Sequence, residues 1–333
     1  MTINIEHLAS KVLDGKTLDE KECESIFFAG YERLSEVMFY ADKIRRHHKG
    51  DRVRLCSIIN AKSGMCSEDC RFCAQSSHAR SKVDSYPLVS SGEILSAYKK
   101  ADGAGALCFG VVTSGRGVSA EEIERIGEVI KKISSQRAAN PSKRFSRISA
   151  SLGELSREQI VYLKNCGLQK YHHNLETSEK YFPSVCTTHS YSDRIKTLNA
   201  LKAAGLDLCC GGLFGIGESA LDRFEFAMEL RGISPSSVPL NFLNPVAGTE
   251  LENAPRLSPR EILGIIAAFR FALPDKDISV CGGREVNLRD LQSWIFYAGA
   301  NGMMTGGYLT TTGRSPDEDR RMIDDLGLEV GGE

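Results

Sequence analysis

Short apolar segments alternate with longer amphipathic segments along most of the chain, and this alternation restricts its fold more than any other feature. Eight segments rich in apolar and β-branched residues predict strands, at 53–60, 105–113, 145–151, 169–176, 207–214, 237–243, 277–282 and 301–307. The segments between them, such as SREQIVYLKNCG, predict helices, and several begin with serine and end with glycine, as capped helices do. Eight strand–helix units predict an α/β fold, a closed (β/α)8 barrel of the TIM type. An open doubly wound sheet is the alternative.

The chain before the first predicted strand has a different pattern. Apolar residues there recur at helical spacing, and the segment ends in the basic cluster RRHH, which is typical of the last turn of a helix. We therefore predict an N-terminal helical extension over residues 1–50 and a barrel domain over residues 51–333.

Charge and hydropathy argue against several functions. Lysine and arginine number 42 against 43 aspartates and glutamates, a balance that does not favour nucleic-acid binding. No stretch approaches the about 18 uninterrupted apolar residues of a membrane span. The first residues lack the pattern of a signal peptide. We therefore expect a cytoplasmic location.

Three of the 11 cysteines stand close together on the loop predicted to follow the first strand, in AKSGMCSEDCRFCAQSS. Cys66, Cys70 and Cys73 have the spacing C-x3-C-x2-C, and no fourth cysteine follows at similar spacing. Three thiolates so placed suit three irons of a [4Fe-4S] cluster and leave the fourth iron open for a ligand. Zinc is the competing metal, but its sites need a second cysteine pair or two histidines, which this segment lacks.

This loop resembles that of the radical S-adenosylmethionine (SAM) superfamily, and the longer run CSIINAKSGMCSEDCRFCAQSS is similar to biotin synthases in particular. The resemblance covers residues 25–328 in collinear order. It continues in YHHNLETS at 171–178, TTHSYSDRIKTL at 187–198, CCGGLFGIGES at 209–219, VPLNFLNPVAGTEL at 238–251, ISVCGGREVN and YAGANGMMTGGYLTT.

Biotin synthases are sulfurtransferases that insert sulfur between two unactivated carbons of dethiobiotin. The resemblance implies that Cys66, Cys70 and Cys73 hold a [4Fe-4S] cluster whose open iron binds SAM. One electron then splits SAM to a radical that takes hydrogen from the substrate, and an auxiliary iron–sulfur cluster supplies the sulfur. The resemblance also implies flavodoxin or ferredoxin as electron donor, a homodimer, and no nucleic-acid or membrane partner.

The resemblance assigns further roles residue by residue. Asn174 and Glu176, two apart on a predicted strand and so both facing the lumen, would hold the SAM ribose and the ureido ring of the substrate. The family usually has aspartate where this chain has Glu176. Asn241 would contact the ureido ring, and Arg194 would lie near the SAM carboxylate as a bidentate partner. His172 stands where the family often has asparagine.

Each of these roles has a structural alternative. Asn174 and Asn241 suit the capping of strand ends, and Arg194 suits an ion pair on a surface helix. His172 either contacts the substrate or packs in the lumen.

The auxiliary site departs from the pattern of the better-known family members, in which three cysteines and an arginine hold a [2Fe-2S] cluster. Two of those cysteines match Cys108 and Cys209, but Ser149 and Ser279 stand at the other two positions. Cys281 lies two residues beyond Ser279, so a strand would put both on one face. We predict that Cys108, Cys209 and Cys281 hold an auxiliary cluster of the [4Fe-4S] type, with one iron free for an extra sulfide. A [2Fe-2S] cluster, or buried thiols without metal, are the alternatives.

Two other cysteines lie near this set in the sequence. A regular strand would turn Cys210 away from the lumen, unless the glycines after it relax the strand. Cys56, on the first predicted strand, is interpreted as a core residue.

Two other functions compete with sulfur insertion. The lost auxiliary ligands argue for a related radical SAM enzyme, such as a hydrogenase-cofactor maturase. An iron–sulfur sensor or electron carrier is a third interpretation, but it would not need the polar lumen residues.

Overall fold

The structure of the chain is a computed structural model that describes residues 3–139 and 146–331. Every predicted strand is present in it, although the segment 145–151 begins one residue outside the described ranges. The strands are β1 (Arg52–Lys62), β2 (Cys108–Thr113), β3 (Arg147–Ser151), β4 (Lys170–His172), β5 (Asp207–Cys209), β6 (Gly212–Phe214), β7 (Ser237–Phe242), β8 (Asp277–Val280), β9 (Gly302–Met304) and β10 (Glu329–Val330).

The strands form a closed parallel barrel. Neighbours follow the order β1-β2-β3-β4-β5-β7-β8-β9, with β6 beside β7, and β9 pairs back with β1 to complete the ring. β10 adds to the first residues of β1 outside this ring. β5 and β6 together occupy the position of one predicted strand, 207–214, interrupted at residues 210 and 211. The predicted (β/α)8 barrel is thus confirmed, and the open sheet is excluded.

Helices surround the barrel, and serine caps fix most of their first turns. Six helices begin directly after a serine whose side chain accepts a hydrogen bond from the backbone N–H three residues later, and the acidic or glutamine side chain at that later position accepts one from the backbone N–H of the serine. These serines are Ser90, Ser156, Ser190, Ser219, Ser258 and Ser315. No helix in the described ranges is long and apolar enough to cross a bilayer. The helices are α1 (Ile5–Leu13), α2 (Glu20–Glu32), α3 (Leu34–Lys49), α4 (Ser91–Gly103), α5 (Ala120–Ala139), α6 (Arg157–Asn165), α7 (Tyr191–Ala203), α8 (Ala220–Ile233), α9 (Pro259–Ala272), α10 (Arg284–Leu288), α11 (Trp294–Tyr297) and α12 (Pro316–Asp324), with short 3-10 turns at Phe182–Ser184 and Arg289–Leu291.

The helices before β1 pack on the outside of the barrel, mainly against α9. The rings of Phe27 and Phe269 meet edge to face at 5.6 Å, and Phe269 also packs on Phe214 of β6 at 5.3 Å. Gly30 and Gly264 lie back to back, so that a Cβ on Gly264 would meet the Gly30 carbonyl oxygen at 3.1 Å. The division into an extension (1–50) and a barrel domain (51–333) stays a prediction.

Candidate functional site

The three-cysteine loop follows the carboxyl end of β1 and is closed by its own backbone. The amide of Cys66 donates to the carbonyl of Gln75 (3.1 Å), and Ser77 donates back to the carbonyl of Cys66 (2.8 Å). Within this loop the amide of Cys73 donates to the carbonyl of Cys70 (2.9 Å). All three cysteines are partly buried and free of disulfides. The loop therefore places three free thiols on one short, closed segment, and a thiol-only set is the donor chemistry that an iron–sulfur cluster requires.

The environment of Cys70 and Cys73 favours the protonated form of their thiols while no metal is bound. A hydrogen bond with Cys186 raises the pKa of Cys70, and burial adds to the effect. Burial raises the pKa of Cys73 to about 11. Metal binding would have to displace these protons, which couples cluster loading to pH.

Asn174 and Glu176 lie side by side, although not on a strand. β4 ends at His172, four residues before the predicted end, and Glu176 adopts a left-handed backbone with φ 71°. Asn174 Nδ2 donates to Glu176 Oε2 at 3.3 Å. Burial raises the pKa of Glu176, and the charge of Arg194 opposes this. The two side chains thus lie beyond the end of β4, on a segment that returns to the sheet through an isolated bridge between Glu176 and Gly212.

Arg194, near the start of α7, is anchored by three groups. Its Nε donates to His189 Nε2 (3.0 Å), its Nη1 donates to the carbonyl oxygen of Asn174 (2.7 Å), and the guanidinium lies 5.5 Å above the Phe182 ring. Within the described ranges no carboxylate forms an ion pair with Arg194. The alternative of an ion pair on a surface helix is therefore wrong.

His189 connects Arg194 to the cysteine loop. Its Nδ1 lies 2.5 Å from Glu68 Oε2 and 3.3 Å from Cys186 Sγ, and these three side chains are of metal-ligating type. An arginine nitrogen only donates, so His189 Nε2 must accept and Nδ1 must carry the hydrogen. The group is therefore a hydrogen-bonded relay from the loop to Arg194, without a ring lone pair for a metal. Sequence reasoning missed it because Glu68 and His189 are 121 residues apart.

The two asparagines make the structural bonds that their alternative interpretation predicts. Asn241 Nδ2 donates to the carbonyl of Gly212 (3.1 Å), and Asn241 Oδ1 accepts from the amide of Gly282 (2.9 Å). Asn174 Oδ1 accepts from the amide of Gly211 (3.1 Å). An amide side chain has two N–H groups and two lone pairs, so each asparagine keeps one of each for a ligand.

Four further cysteines face the lumen of the barrel: Cys56, Cys108, Cys209 and Cys281. On β2 the ring of Phe109 packs outward on Tyr98 of α4, so its neighbour Cys108 faces inward. Cys56 lies opposite Cys108 in the β1–β2 register, and the two thiols are hydrogen-bonded. That bond and burial raise the pKa of Cys56, and the charges of Cys209 and Cys281 add to the effect. Cys56 is thus not the core residue that the sequence suggested.

Polar side chains line the same region. Cys108 Sγ donates to Ser149 Oγ (3.4 Å), and His172 Nδ1 lies 3.3 Å from Cys209 Sγ. Cys210 is fully buried in the hydrophobic core, as the regular strand pattern predicted. Cys108 and Cys281 are buried as well but do not belong to that core. Burial by apolar packing therefore explains Cys210 and does not explain the other two.

Comparison with known proteins gives the class of protein first. Residues 61–230 match the Radical SAM superfamily, and residues 239–329 match the Biotin and Thiamin Synthesis associated domain. Together with the barrel and the three-cysteine loop, these matches define a radical SAM enzyme, which uses SAM and a [4Fe-4S] cluster.

Close relatives then give the family. A biotin synthase of Geobacter sulfurreducens is 48% identical over 326 residues, which cover 98% of this chain and 97% of the relative. A biotin synthase of Pelobacter propionicus is 49% identical over 325 residues, which cover 97% of each protein. The chain belongs to the biotin synthase family.

Solved structures agree on the fold alone. Methylornithine synthase (PylB) matches with a TM-score of 0.82 at 20% identity, covering 98% of this chain and 97% of that chain. HydG, a maturase of the [FeFe]-hydrogenase, matches with a TM-score of 0.80 at 17% identity, covering 97% and 74%. The likeness to a maturase is therefore no sign of a shared reaction.

Proposed function

We propose that this enzyme converts dethiobiotin to biotin with sulfur from an auxiliary iron–sulfur cluster on Cys108, Cys209 and Cys281. The observation that carries the proposal is the set of thiols in the lumen, which includes Cys56 and stands apart from the apolar core. Thiolates are the usual ligands of iron–sulfur clusters. Position 149, where the family pattern has a cysteine, supplies only a hydroxyl. This favours a [4Fe-4S]-type cluster over a [2Fe-2S] cluster.

The protein's part in the reaction is binding and orientation. When bound, SAM and the two clusters supply the radical and the sulfur. With Nε and Nη1 of Arg194 already bonded, Nη2 is left to pair with the SAM carboxylate. The Glu176 carboxylate accepts hydrogen bonds from the ribose hydroxyls. The remaining N–H and lone pair of Asn174 and Asn241 suit a ureido ring, which both donates and accepts.

His172 has a role at the boundary between substrate and cluster. Its Nδ1 is taken up by the thiol of Cys209, which leaves Nε2 for the substrate. Burial lowers the pKa of His172, so the ring is neutral at pH 7. Because the sulfur of a ligand cysteine only accepts, Nδ1 donates to Cys209 and Nε2 is left as an acceptor for the substrate. Both original interpretations of this residue, packing in the lumen and substrate contact, are compatible with this position.

The proposal also includes a cytoplasmic homodimer that takes electrons from a flavodoxin or ferredoxin. All 11 cysteines are free, in keeping with a reducing compartment. Phe39 on α3 and Trp294 and Tyr297 on α11 are exposed, and the two helices pack together, so they offer an apolar patch to a second copy. Light scattering of the full chain tests the dimer.

Product analysis separates the candidate functions. The reconstituted protein is incubated without oxygen with SAM, a reductant and dethiobiotin. Biotin together with 5'-deoxyadenosine supports the proposal. Formation of 5'-deoxyadenosine without biotin would favour a related radical SAM enzyme, such as a hydrogenase-cofactor maturase. Absence of both products would favour a sensor or electron carrier.

The auxiliary ligands are tested by cysteine replacements with a matched control. We expect Cys281→Ala to lower the iron content from about eight to about four atoms per chain, as for two four-iron clusters reduced to one. Cys210→Ala, next in sequence to a ligand but placed in the core, is expected to keep the native content. If Cys281→Ala also kept native iron and sulfide, the auxiliary site would have to be redrawn. A loss of iron in Cys56→Ala would make Cys56 a fourth ligand.

A further inference from the structure

Lys170, the first residue of β4, is a buried cation without a charged partner. Only 5% of the residue is exposed. Its Nζ donates to Ser237 Oγ at 3.1 Å, and in the described ranges no carboxylate forms an ion pair with it. Asp207, opposite Lys170 in the β4–β5 register, pairs with Arg147 instead. A buried ammonium is costly unless an anion compensates it, so this position calls for a negative charge that no carboxylate in the described ranges supplies.

The groups around Lys170 are those of the auxiliary site. Tyr171 belongs to the hydrophobic core, so Lys170 and His172 share the inner face of β4. Lys170 lies opposite Ser149 in the β3–β4 register. Its ammonium donates to the Ser237 hydroxyl, and Ser237 lies opposite Cys209 in the β5–β7 register. An ammonium, a hydroxyl and a thiol are therefore neighbours on adjacent strands.

The charge of Lys170 reaches two of the proposed ligands. Burial raises the pKa of Cys209, and Lys170 is the strongest group that opposes this. The hydrogen bond with Cys56 lowers the pKa of Cys108, and the charge of Lys170 is the largest cationic contribution in the same direction. Arg54 also acts on Cys108, but Asp277 neutralises it at 3.2 Å. Among the described residues that act on these two cysteines, Lys170 is thus a cation without a carboxylate partner.

We propose that Lys170 is the counter-charge of the auxiliary iron–sulfur cluster and stabilises its more reduced, more negative state through Ser237 and Cys209. The proposal rests on the auxiliary site described under the proposed function. The family pattern has a cationic arginine at position 279, where this chain has serine, and Lys170 would supply a cation to the same site. Lys170 is a positioning residue, because it acts on the cluster through its ligands.

The experiment measures the midpoint potential of the auxiliary cluster alone. In a variant with Cys66, Cys70 and Cys73 replaced by alanine, the auxiliary cluster is the remaining source of signal, and its reduction is followed by electron paramagnetic resonance. In this background we expect Lys170→Met to weaken one-electron reduction at least about tenfold, which is about 59 mV. Lys170→Arg, which keeps the charge, is expected to stay within about twofold of the parent.

A second measurement separates a charge effect from a structural one. Lys170→Met removes the uncompensated buried charge, so the melting temperature of the metal-free variant should equal or exceed that of the metal-free parent. Loading the cluster should raise the melting temperature of the variant less than that of the parent. If Lys170→Met lowered the melting temperature equally with and without metal, Lys170 would be a structural residue and the proposal would be overturned. The same would follow if Lys170→Met bound iron but left the midpoint potential of the auxiliary cluster unchanged. If the parent background bound no iron at all, the auxiliary site itself would fall, and Lys170 would lose its role with it.

Discussion

Two substitutions of His189 separate the two ends of the relay between the cysteine loop and Arg194. The amide nitrogen of asparagine takes roughly the place of Nδ1 and can still donate to Glu68, but nothing remains to accept from Arg194. Glutamine extends to the place of Nε2, where its amide oxygen can accept from Arg194, and gives up the bond to Glu68. If the relay serves to aim Arg194 at SAM, His189→Asn must weaken SAM binding and His189→Gln must largely preserve it.

The size of the effect follows from the anchors of the guanidinium. Arg194 has two hydrogen bonds, to His189 Nε2 at 3.0 Å and to the carbonyl of Asn174 at 2.7 Å, and the asparagine variant removes the first. A hydrogen bond to a charged group contributes about 1.5–3 kcal/mol. Because Arg194 is only partly buried, we take the lower end, about 1.5 kcal/mol, which corresponds to about tenfold in the dissociation constant.

Calorimetric titration of SAM into the anaerobically reconstituted protein measures this constant directly. We expect about a tenfold increase for His189→Asn and less than about threefold for His189→Gln, with KM for SAM changing more than kcat. Arg194→Lys, which keeps the charge without the fork, serves as the reference for complete loss of the aimed guanidinium. Equal constants for the asparagine and glutamine variants would refute the idea that the relay positions Arg194.

Two further predictions concern the scaffold around the site. A Cβ on Gly212 would lie 2.3 Å from the carbonyl oxygen of Glu176. Gly212→Ala should therefore lower the free energy of unfolding of the metal-free protein by about 1–3 kcal/mol, measured in urea, and lower activity by displacing Glu176. An unchanged free energy of unfolding would contradict this. Burial opposes ionisation of Asp277, but Arg54 and Lys49 outweigh it and hold the pKa of Asp277 below its ordinary value. A depressed pKa stabilises the fold above the unfolded-state pKa, and the benefit is lost as pH falls through the folded-state value, so native stability should fall more steeply below about pH 4 than that of Asp277→Asn.

The fold was predictable because each strand carries its own pattern. Seven predicted strands appear within a few residues of their expected positions, and the remaining one, 207–214, is broken in two. The break lies at Gly211, where a Cβ would be 1.9 Å from the carbonyl oxygen of Pro239. A close approach of this kind depends on the neighbouring strand, which single-sequence periodicity does not contain. The alternation nevertheless placed Cys209 and Cys210 on opposite sides, although β5 itself ends at Cys209.

The parts of the site that sequence reasoning missed depend on contacts between distant segments. Cys56 was interpreted as core, since one cysteine in an apolar strand has no distinguishing pattern; only the register with β2 sets it against Cys108. The relay joins Glu68, in the loop after β1, to His189, just before α7, and three strands lie between them in the sequence. The resemblance implied a SAM contact for Arg194, but it gave no role to His189 and Glu68, which position Arg194.

Closure of the barrel between β1 and β9 has a consequence for how the enzyme matures. Synthesis proceeds from the N-terminus, and the first cluster motif is complete once residue 73 has been made. The thiols of the proposed auxiliary site lie on β2, on β5 and directly after β8, and the ring around them closes only when β9, Gly302–Met304, pairs with β1. If the auxiliary cluster forms there as we propose, iron delivery has a built-in order: the loop can be loaded on a growing chain, whereas the lumen can receive its cluster only after nearly the whole polypeptide exists.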